Sequence, residues 1–379
     1  MLRKIGVFGG TFNPIHKAHI EVAIAAKEQL GLDFVLVMTG GNPPHKESEF
    51  IYDGKIRHIM VKKALSGLDT LIPCDYEVNR SEYSYSVDTL KFLKGIYPDD
   101  EIYFIIGGDS YASFHKWYKP EEILKLCTLA VYKRNAQADE SFFIKNNARV
   151  VYVEGKFLDI SSTAIREDIE ANKSLINKDV LDFISYYKLY KSNNEEEILK
   201  SMLSPARYIH SVNVAKMCVE LAGKWNVDRK TAHLMGMLHD IAKDIDKTIA
   251  IKMCDELNAQ VDGIERTMPQ LIHPKLGAEL VKCYFNIKEG IITSAIRCHT
   301  VGKIGMNIYD KILFVADMCE EGRSFEGVEK IREEAFKDLD KAVVMCIDST
   351  IAFTKRRGFF VHPMAYALRK ELLSKKIVN

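Results

Sequence analysis

Two sets of residues in this 379-residue chain have the types and spacing to do chemistry. The first opens the chain, from Lys4 to Ile20, as K-I-G-V-F-G-G-T-F-N-P-I-H-K-A-H-I. Ile5, Val7 and Phe8 form a short apolar run that stops at Gly9-Gly10, and an Ala-rich apolar segment follows from His19 to Leu30 at helical spacing. Strand, glycine turn and helix in that order bring a helix amino end to a strand carboxyl end, where free N–H groups and the helix dipole suit a phosphate. Gly9 and Gly10 let the backbone approach that phosphate closely. Pro14 fixes the path of the chain, and His16 and His19, three residues apart, project from one helical face toward one point. The second set comprises His210, the adjacent pair His239-Asp240, His273, His299 and Asp317, which together supply six imidazole or carboxylate groups from separate segments. With no thiolate among them, these donors suit Fe, Mn, Co, Zn or Mg rather than a structural zinc knot.

The elements that must position these groups differ between the two halves. In the first, strand-like runs at Phe34 to Met38, Glu101 to Ile106, Leu129 to Tyr132 and Val150 to Val153 alternate with helical stretches at Arg57 to Leu65 and Ser86 to Leu93. That alternation predicts a parallel sheet with helices on both faces and a ligand site at the strands' carboxyl ends. Three further segments fall at those ends. The loop N42-P-P-H-K46 offers Lys46 to a triphosphate. G107-G-D-S-Y-A-S-F-H-K-W-Y118 places Asp109 to accept from a ribose and offers the flat face of Trp117 to a ring. I160-S-S-T-A-I-R166 starts a helix with Ser161, Ser162 and Thr163, and Arg166 follows as a charged fork for phosphate. An apolar helix, V180-L-D-F-I-S-Y-Y-K-L-Y190, closes this half, and the polar run 191–197 reads as a linker. Beyond it, 198–379 is dominated by amphipathic stretches, including Arg207 to Trp225, Arg229 to Ile241, His273 to Tyr284, Lys288 to His299, Ile308 to Met318 and Val328 to Lys355. The expected architecture is a Rossmann-like α/β domain at 1–190 followed by an all-α helical bundle.

Composition narrows the class. Lys and Arg number 53 against 52 for Asp and Glu, a net charge of +1, which argues against a protein that coats nucleic acid. No stretch approaches the ~18 apolar residues of a membrane span, and the start turns at once into a strand without a signal-peptide core. The eight cysteines carry no C-x-x-C and read as buried free thiols in a reducing cytoplasm. Association of copies of the chain is compatible with these features.

The run G-G-T-F-N-P-I-H-K-A-H resembles the nucleotidyltransferase superfamily with the H-x-G-H motif, in its nicotinate-mononucleotide adenylyltransferase branch. P-P-H-K and I-S-S-T-A-I-R match that branch as well. Asn13 stands where Asp is usual and Ala18 where Gly is usual, and the added methyl at a tight helix start bears on rate rather than on fold. The resemblance implies catalytic roles for His16, His19, Lys46 and Arg166, with Mg2+ accompanying ATP. It implies nucleotide contacts from Gly9, Gly10, Thr11 and Phe12, from Gly107 and Asp109, and from Ser161, Ser162 and Thr163. Trp117 would stack on the pyridine ring with Tyr118 among the nucleotide contacts, and N–H groups near Trp117 and near Ser84-Tyr85-Ser86 would hold the ring's carboxylate, with Ser86 for the usual Thr.

In the second half, H239-D-I-A-K243-D244 at a helix end resembles the HD phosphohydrolase superfamily. Together with R-Y-I-H210, L-I-H273-P, C-H299-T-V-G and F-V-A-D317-M-C-E-E-G-R323 it resembles the symmetrical diadenosine-tetraphosphate hydrolases, whose expected metal is iron, with Mn an alternative. His210, His239, Asp240 and Asp317 would hold one ion, and His273 and His299 a second, with Asp240 bridging. Lys243 and Asp244 would act in catalysis, and Lys243, Arg323 and His362 would meet polyphosphate oxygens. The implied protein is a two-headed cytoplasmic enzyme. One head joins ATP to nicotinate mononucleotide, giving deamido-NAD and pyrophosphate, and the other splits diadenosine tetraphosphate into two ADP. Another acceptor for the first head, or an HD half that senses nucleotides without turnover, are the competing readings.

Overall fold

The computed structural model describes residues 2–41, 51–80, 83–133, 140–155, 160–192, 194–287 and 290–374. The chain divides into two compact units, Met1–Tyr190 and Lys191–Asn379. In the first, six parallel strands, β1 (Lys4–Gly10), β2 (Phe34–Thr39), β3 (Leu71–Cys74), β4 (Glu101–Gly107), β5 (Thr128–Tyr132) and β6 (Val150–Val153), lie in the order β3-β2-β1-β4-β5-β6. The chain winds outward from β1 to β3, then returns to lay β4 on the other side of β1. Neighbouring connections therefore diverge between β1 and β4, and the crevice left at their carboxyl ends is where an open α/β sheet binds ligand.

The register shows why the strands are nearly uniform apolar runs. Val7 lies between Leu36 and Phe104, and Phe104 lies beside Leu129. These side chains share one core with Val87, Leu90 and Leu93 of helix Ser86–Ile96 and with Ile123 and Leu124 of helix Pro120–Leu126. The alternate residues Val35, Val37, Ile105 and Ala130 are equally buried, so both faces of the sheet are covered. Strand β3, L-I-P-C, escapes sequence inspection because Pro73 sits inside it. It lies at the sheet edge, the position that tolerates a residue without an N–H.

The second unit is helical among the described residues. Side-chain caps start its helices: Asp228 for Arg229–Leu238, Asp246 for Lys247–Leu257, Asn307 for Ile308–Cys319 and Asp338 for Leu339–Arg356. Two expectations are corrected here. The stretch 191–197 is not all linker, because Asn194 caps a helix at Glu195–Met202. The single helix expected over Val328 to Lys355 is two, Val328–Ala335 and Leu339–Arg356, because the Asp338 side chain restarts the helix by accepting from the N–H of Lys341. All eight cysteines are free, and all but Cys74 are buried.

One close approach organises the second unit. A Cβ at Gly236 would lie 2.6 Å from the Ala215 Cα, so helix Arg229–Leu238 meets helix Pro205–Lys224 backbone to backbone. His239, one turn beyond Gly236, is thereby brought beside His210, whose ring centroid lies 5.3 Å from its own. Gly→Ala inside a free helix stabilises by about 1 kcal/mol. Overpacking against backbone costs ~1–3 kcal/mol, so Gly236→Ala is expected to lower the urea midpoint of unfolding. A raised midpoint would show that the two helices separate freely.

Candidate active sites

In the first unit the carboxyl ends of β1 and β4 open into adjoining cavities that share Gly9, Gly10, Gly107 and Ser110 as walls. One, of about 330 Å3, is lined by His16, His19, Asp109, Ser161 and Ser162 besides the glycines. His16 is the N-cap residue of helix Lys17–Leu30, and its backbone N–H donates to His19 Nδ1 at 3.2 Å. An acceptor at Nδ1 leaves the proton of neutral His19 on Nε2. The two imidazoles stack with centroids 3.7 Å apart, and Phe12 braces His19 edge-on at 5.0 Å.

The double glycine serves two purposes. A Cβ on Gly10 would strike the Phe12 ring at 2.6 Å, whereas one on Gly9 would meet nothing within 4 Å. Gly10 is therefore needed for packing, and Gly9 opens onto the cavity. Phe12, expected at the nucleotide, has its side chain buried between Gly10 and His19, so only its backbone can face a ligand.

The I-S-S-T-A-I-R segment grips the histidine loop. Ser161 accepts from the Ala164 N–H at 3.0 Å, Ser162 Oγ donates to the Pro14 carbonyl at 3.0 Å, and Arg166 donates to the Asn13 carbonyl at 2.9 Å and to Thr163 Oγ1 at 3.2 Å. Expected as a phosphate fork, Arg166 thus also positions the 13–16 loop. Asn13 Oδ1 accepts from the Tyr190 hydroxyl at 2.8 Å, an acceptor role that Asn and Asp fill equally. Lys46 lies outside the described residues. Sequence reasoning missed Arg57, which is fully buried and donates to the carbonyls of Thr11 at 2.5 Å, Tyr52 at 2.8 Å and Gly41 at 2.8 Å. Burial lowers its pKa to about 10, so it stays charged at neutral pH while pinning Thr11, which lines the neighbouring cavity.

A larger cavity of about 960 Å3 adjoins these, walled by Ser84, Tyr85, Ser86, Asp109, Trp117 and Tyr118. Trp117 is braced by Phe104 at 6.1 Å and Phe114 at 5.2 Å, and Tyr85 and Tyr118 tilt against each other at 4.5 Å. Ser84 Oγ is buried and, among the described residues, has no hydrogen-bond partner, a polar atom that a ligand here can satisfy. Asp109 lines both this cavity and that of the histidines, which suits a group that spans them.

In the second unit the six expected donors converge, and they divide around one carboxylate. Asp240 Oδ2 lies 3.9 Å from His210 Nε2 and 3.5 Å from His239 Nε2, and those nitrogens lie 3.0 and 3.8 Å from Asp317 Oδ1. Asp240 Oδ1 lies 3.3 Å from His273 Nε2 and 3.6 Å from His299 Nε2. His239 Nε2 is buried without a hydrogen-bond partner among the described residues. An orphaned imidazole nitrogen aimed at two carboxylates fits a cation, as do the convergent sets His210, His239, Asp317 and His239, Asp240, His299. The helices place these donors by their ends: His239 and His299 follow the last residues of Arg229–Leu238 and Ile291–Cys298, and His273 begins His273–Phe285.

Cations ring the centre. Arg207 Nη1 lies 2.8 Å from Asp240 Oδ2, Arg323 Nη2 lies 2.8 Å from Asp317 Oδ1, and Lys243 Nζ lies 3.1 Å from His273 Nε2. Arg207 was not foreseen, although it precedes His210 by one helical turn and so had to share its face. Glu320, against His210 Nδ1 at 3.1 Å, was also missed. Two expected residues fall elsewhere. Asp244 is exposed and accepts from the Ser204 N–H at 2.7 Å, a structural bond. His362 pairs with Asp262 at 3.1 Å rather than with the six donors, because its other nitrogen caps the Met364 N–H at the start of the last helix.

Burial pushes His239 and His273 down to about 4, so both are neutral, ligand-ready imidazoles at pH 7. Burial alone would raise the Asp240 carboxyl, but the surrounding imidazoles of His239, His273 and His299 hold it well below the usual carboxylate range. An unfolded histidine titrates near 6.5. Between that value and about 4 the unfolded chain binds protons that these two folded imidazoles refuse, so stability is complete above 6.5 and is lost as pH falls. The metal-free protein is expected to show a falling urea midpoint from pH 6.5 to 4.5, with the His239 and His273 ring signals still those of neutral imidazole at pH 5.5 in NMR. Protonation of both at pH 6 would contradict their burial.

The cytidylyltransferase-like family model matches residues 7–168, and the HD domain model matches residues 207–322. A Mycoplasma genitalium protein named "Probable nicotinate-nucleotide adenylyltransferase/Ap4A hydrolase" is 28% identical over 326 residues, 86% of this chain and 90% of that one. A Clostridium botulinum protein named "Probable nicotinate-nucleotide adenylyltransferase" is 34% identical over 206 residues, 52% of this chain and 99% of that one. A solved Clostridium acetobutylicum structure titled "predicted HD superfamily hydrolase involved in NAD metabolism" is 33% identical, covers 48% of this chain and 95% of its own, and has a TM-score of 0.46. Over its first half the chain therefore belongs to the nicotinate-nucleotide adenylyltransferase family, and its second half carries an HD domain.

Proposed function

We propose that the first unit transfers an adenylyl group from Mg-ATP to nicotinate mononucleotide, and that the second hydrolyses diadenosine tetraphosphate to two ADP in the cytoplasm. The observation that carries the first half is the joining of the His16/His19 cavity to the Trp117 cavity through Asp109. A phosphate oxygen of the acceptor attacks the α-phosphorus of ATP, the bond to pyrophosphate breaks, and no covalent enzyme intermediate is needed. The helix amino end and the His19 Nε2–H meet the charge that grows on the transferring group, while Arg166 and Ser162 hold the loop that aims them.

The second half is carried by the division of six donors over the two oxygens of Asp240. Iron is the proposed occupant, with Mn the alternative, and two divalent ions there would activate water and neutralise a leaving phosphate. Arg207 and Arg323 flank one side and Lys243 the other, so a polyphosphate lying over the centre meets a cation at each end. The Mycoplasma relative's name, which joins both activities in one chain, supports the pairing.

Products settle the matter. ATP with nicotinate mononucleotide should give deamido-NAD and pyrophosphate, and diadenosine tetraphosphate in 18O-water should give two ADP, one of them labelled. AMP plus ATP from the second substrate would refute the symmetrical cut. His19→Ala should slow adenylyl transfer ~100-fold or more with hydrolysis intact. Asp240→Ala should abolish hydrolysis and lower metal content while transfer persists.

A further inference from the structure

The four imidazoles of the second centre present Nε2 inward, but their outer nitrogens are held differently. Nδ1 of His239, His273 and His299 faces the carbonyl oxygens of Gly236 at 2.7 Å, Gln270 at 2.9 Å and Ile296 at 2.7 Å. Nδ1 of His210 faces a carboxylate, Glu320 Oε1, at 3.1 Å. Glu320 is 3% exposed and follows the last residue of helix Ile308–Cys319, three positions after Asp317. Its backbone N–H donates to Ala316 O at 2.9 Å, and its Oε2 accepts from the Gly322 N–H at 2.5 Å. Arg332 fixes the same turn by donating to the carbonyls of Cys319, Glu320 and Arg323 at 2.6 to 2.7 Å. Both carboxylate oxygens are committed, and the turn cannot drift.

A charged acceptor on Nδ1–H makes Nε2 a stronger donor than a neutral carbonyl does and locks the tautomer that keeps Nε2 free. The inner donors are unequal in the same sense. On the Oδ2 side of Asp240 stand two imidazoles and a second carboxylate, Asp317; on the Oδ1 side stand two imidazoles alone. Resting on the divalent-cation reading above, we infer that Glu320 is a positioning residue that makes the His210/His239/Asp317 position the tight one. That position fills first and keeps its ion, while the His273/His299 position exchanges.

The full-length protein, stripped of metal, tests this by equilibrium dialysis against cobalt(II) alone, read by bound metal and visible absorption. Wild type should bind cobalt in a tight and a weaker class. Glu320→Gln cannot satisfy His210 Nδ1–H and the Gly322 N–H together, since its amide offers one acceptor and one donor where two acceptors stood. It should weaken the tight class ~10–100-fold and leave the weaker class alone, with cooperative unfolding retained in the metal-free state. Glu320→Asp, measured likewise, keeps the charge but shortens the reach and should fall between; it also carries the test if the Gln variant does not fold. His299→Ala should do the reverse, losing the weaker class. A folded Glu320 variant with an unchanged tight class, or with both classes weakened equally, overturns the inference alone. A wild type that binds no cobalt overturns it together with the reading it rests on.

Discussion

The second unit is governed by the burial of one carboxylate. Asp240 is 2% exposed in a helical core, where an unpaired charge costs several kcal/mol. That cost is offset only if positive charge reaches its two oxygens. Arg207 donates on the Oδ2 side, and four imidazole nitrogens crowd the remaining approaches with lone pairs that suit a cation, each arriving from a different part of the helical framework. The geometry follows from helix ends: a residue at the end of a helix can turn inward while its ring nitrogen takes up a carbonyl left over from the last turn. The close contact of Gly236 with Ala215 serves the same purpose, because without it His210 and His239 would not share an oxygen.

The first unit solves a milder problem by other means. Its cavities are walled by glycines and serine hydroxyls at the carboxyl ends of β1 and β4, with His16, His19 and Asp109 beside them. What it needs is a rigid loop from Gly10 to His16. Hydrogen bonds from Arg57, from Ser162 and Arg166 on one helix, and from Tyr190 reach that loop from three sequence-distant segments. A buried arginine that donates to three carbonyls is charged mortar between loops rather than an ion-pair partner, and it keeps Thr11 in place.

Much of this was legible in the sequence, for a physical reason. Strands covered on both faces must be apolar throughout, so Phe34–Thr39 and Glu101–Gly107 announce themselves, and an H-D pair on an amphipathic helix end has few structural excuses. What was not legible depends on contacts between distant segments. Arg57 looks like an exposed residue on helix Gly54–Ala64, and Glu320 looks like one acidic residue of a solvated E-E pair. Nothing local distinguishes Asp244, bonded to a backbone N–H forty residues away, from a catalytic acid. The proline in β3 and the cap at Asp338 misled in opposite directions, one hiding an element and the other splitting one.

The backbone partners of His239, His273 and His299 have a consequence for how this centre can change. A carbonyl oxygen survives every amino-acid replacement at its own position, so the acceptors that orient these three imidazoles are inherited with the helices. Only an insertion or deletion that shifts a turn removes these Nδ1 acceptors. Among the four, His210 alone has a side chain as its Nδ1 acceptor, and a single codon therefore suffices to change that partner. Substitution would accordingly alter the outer partners of these four imidazoles through one residue pair, while the three backbone acceptors stay fixed by the fold.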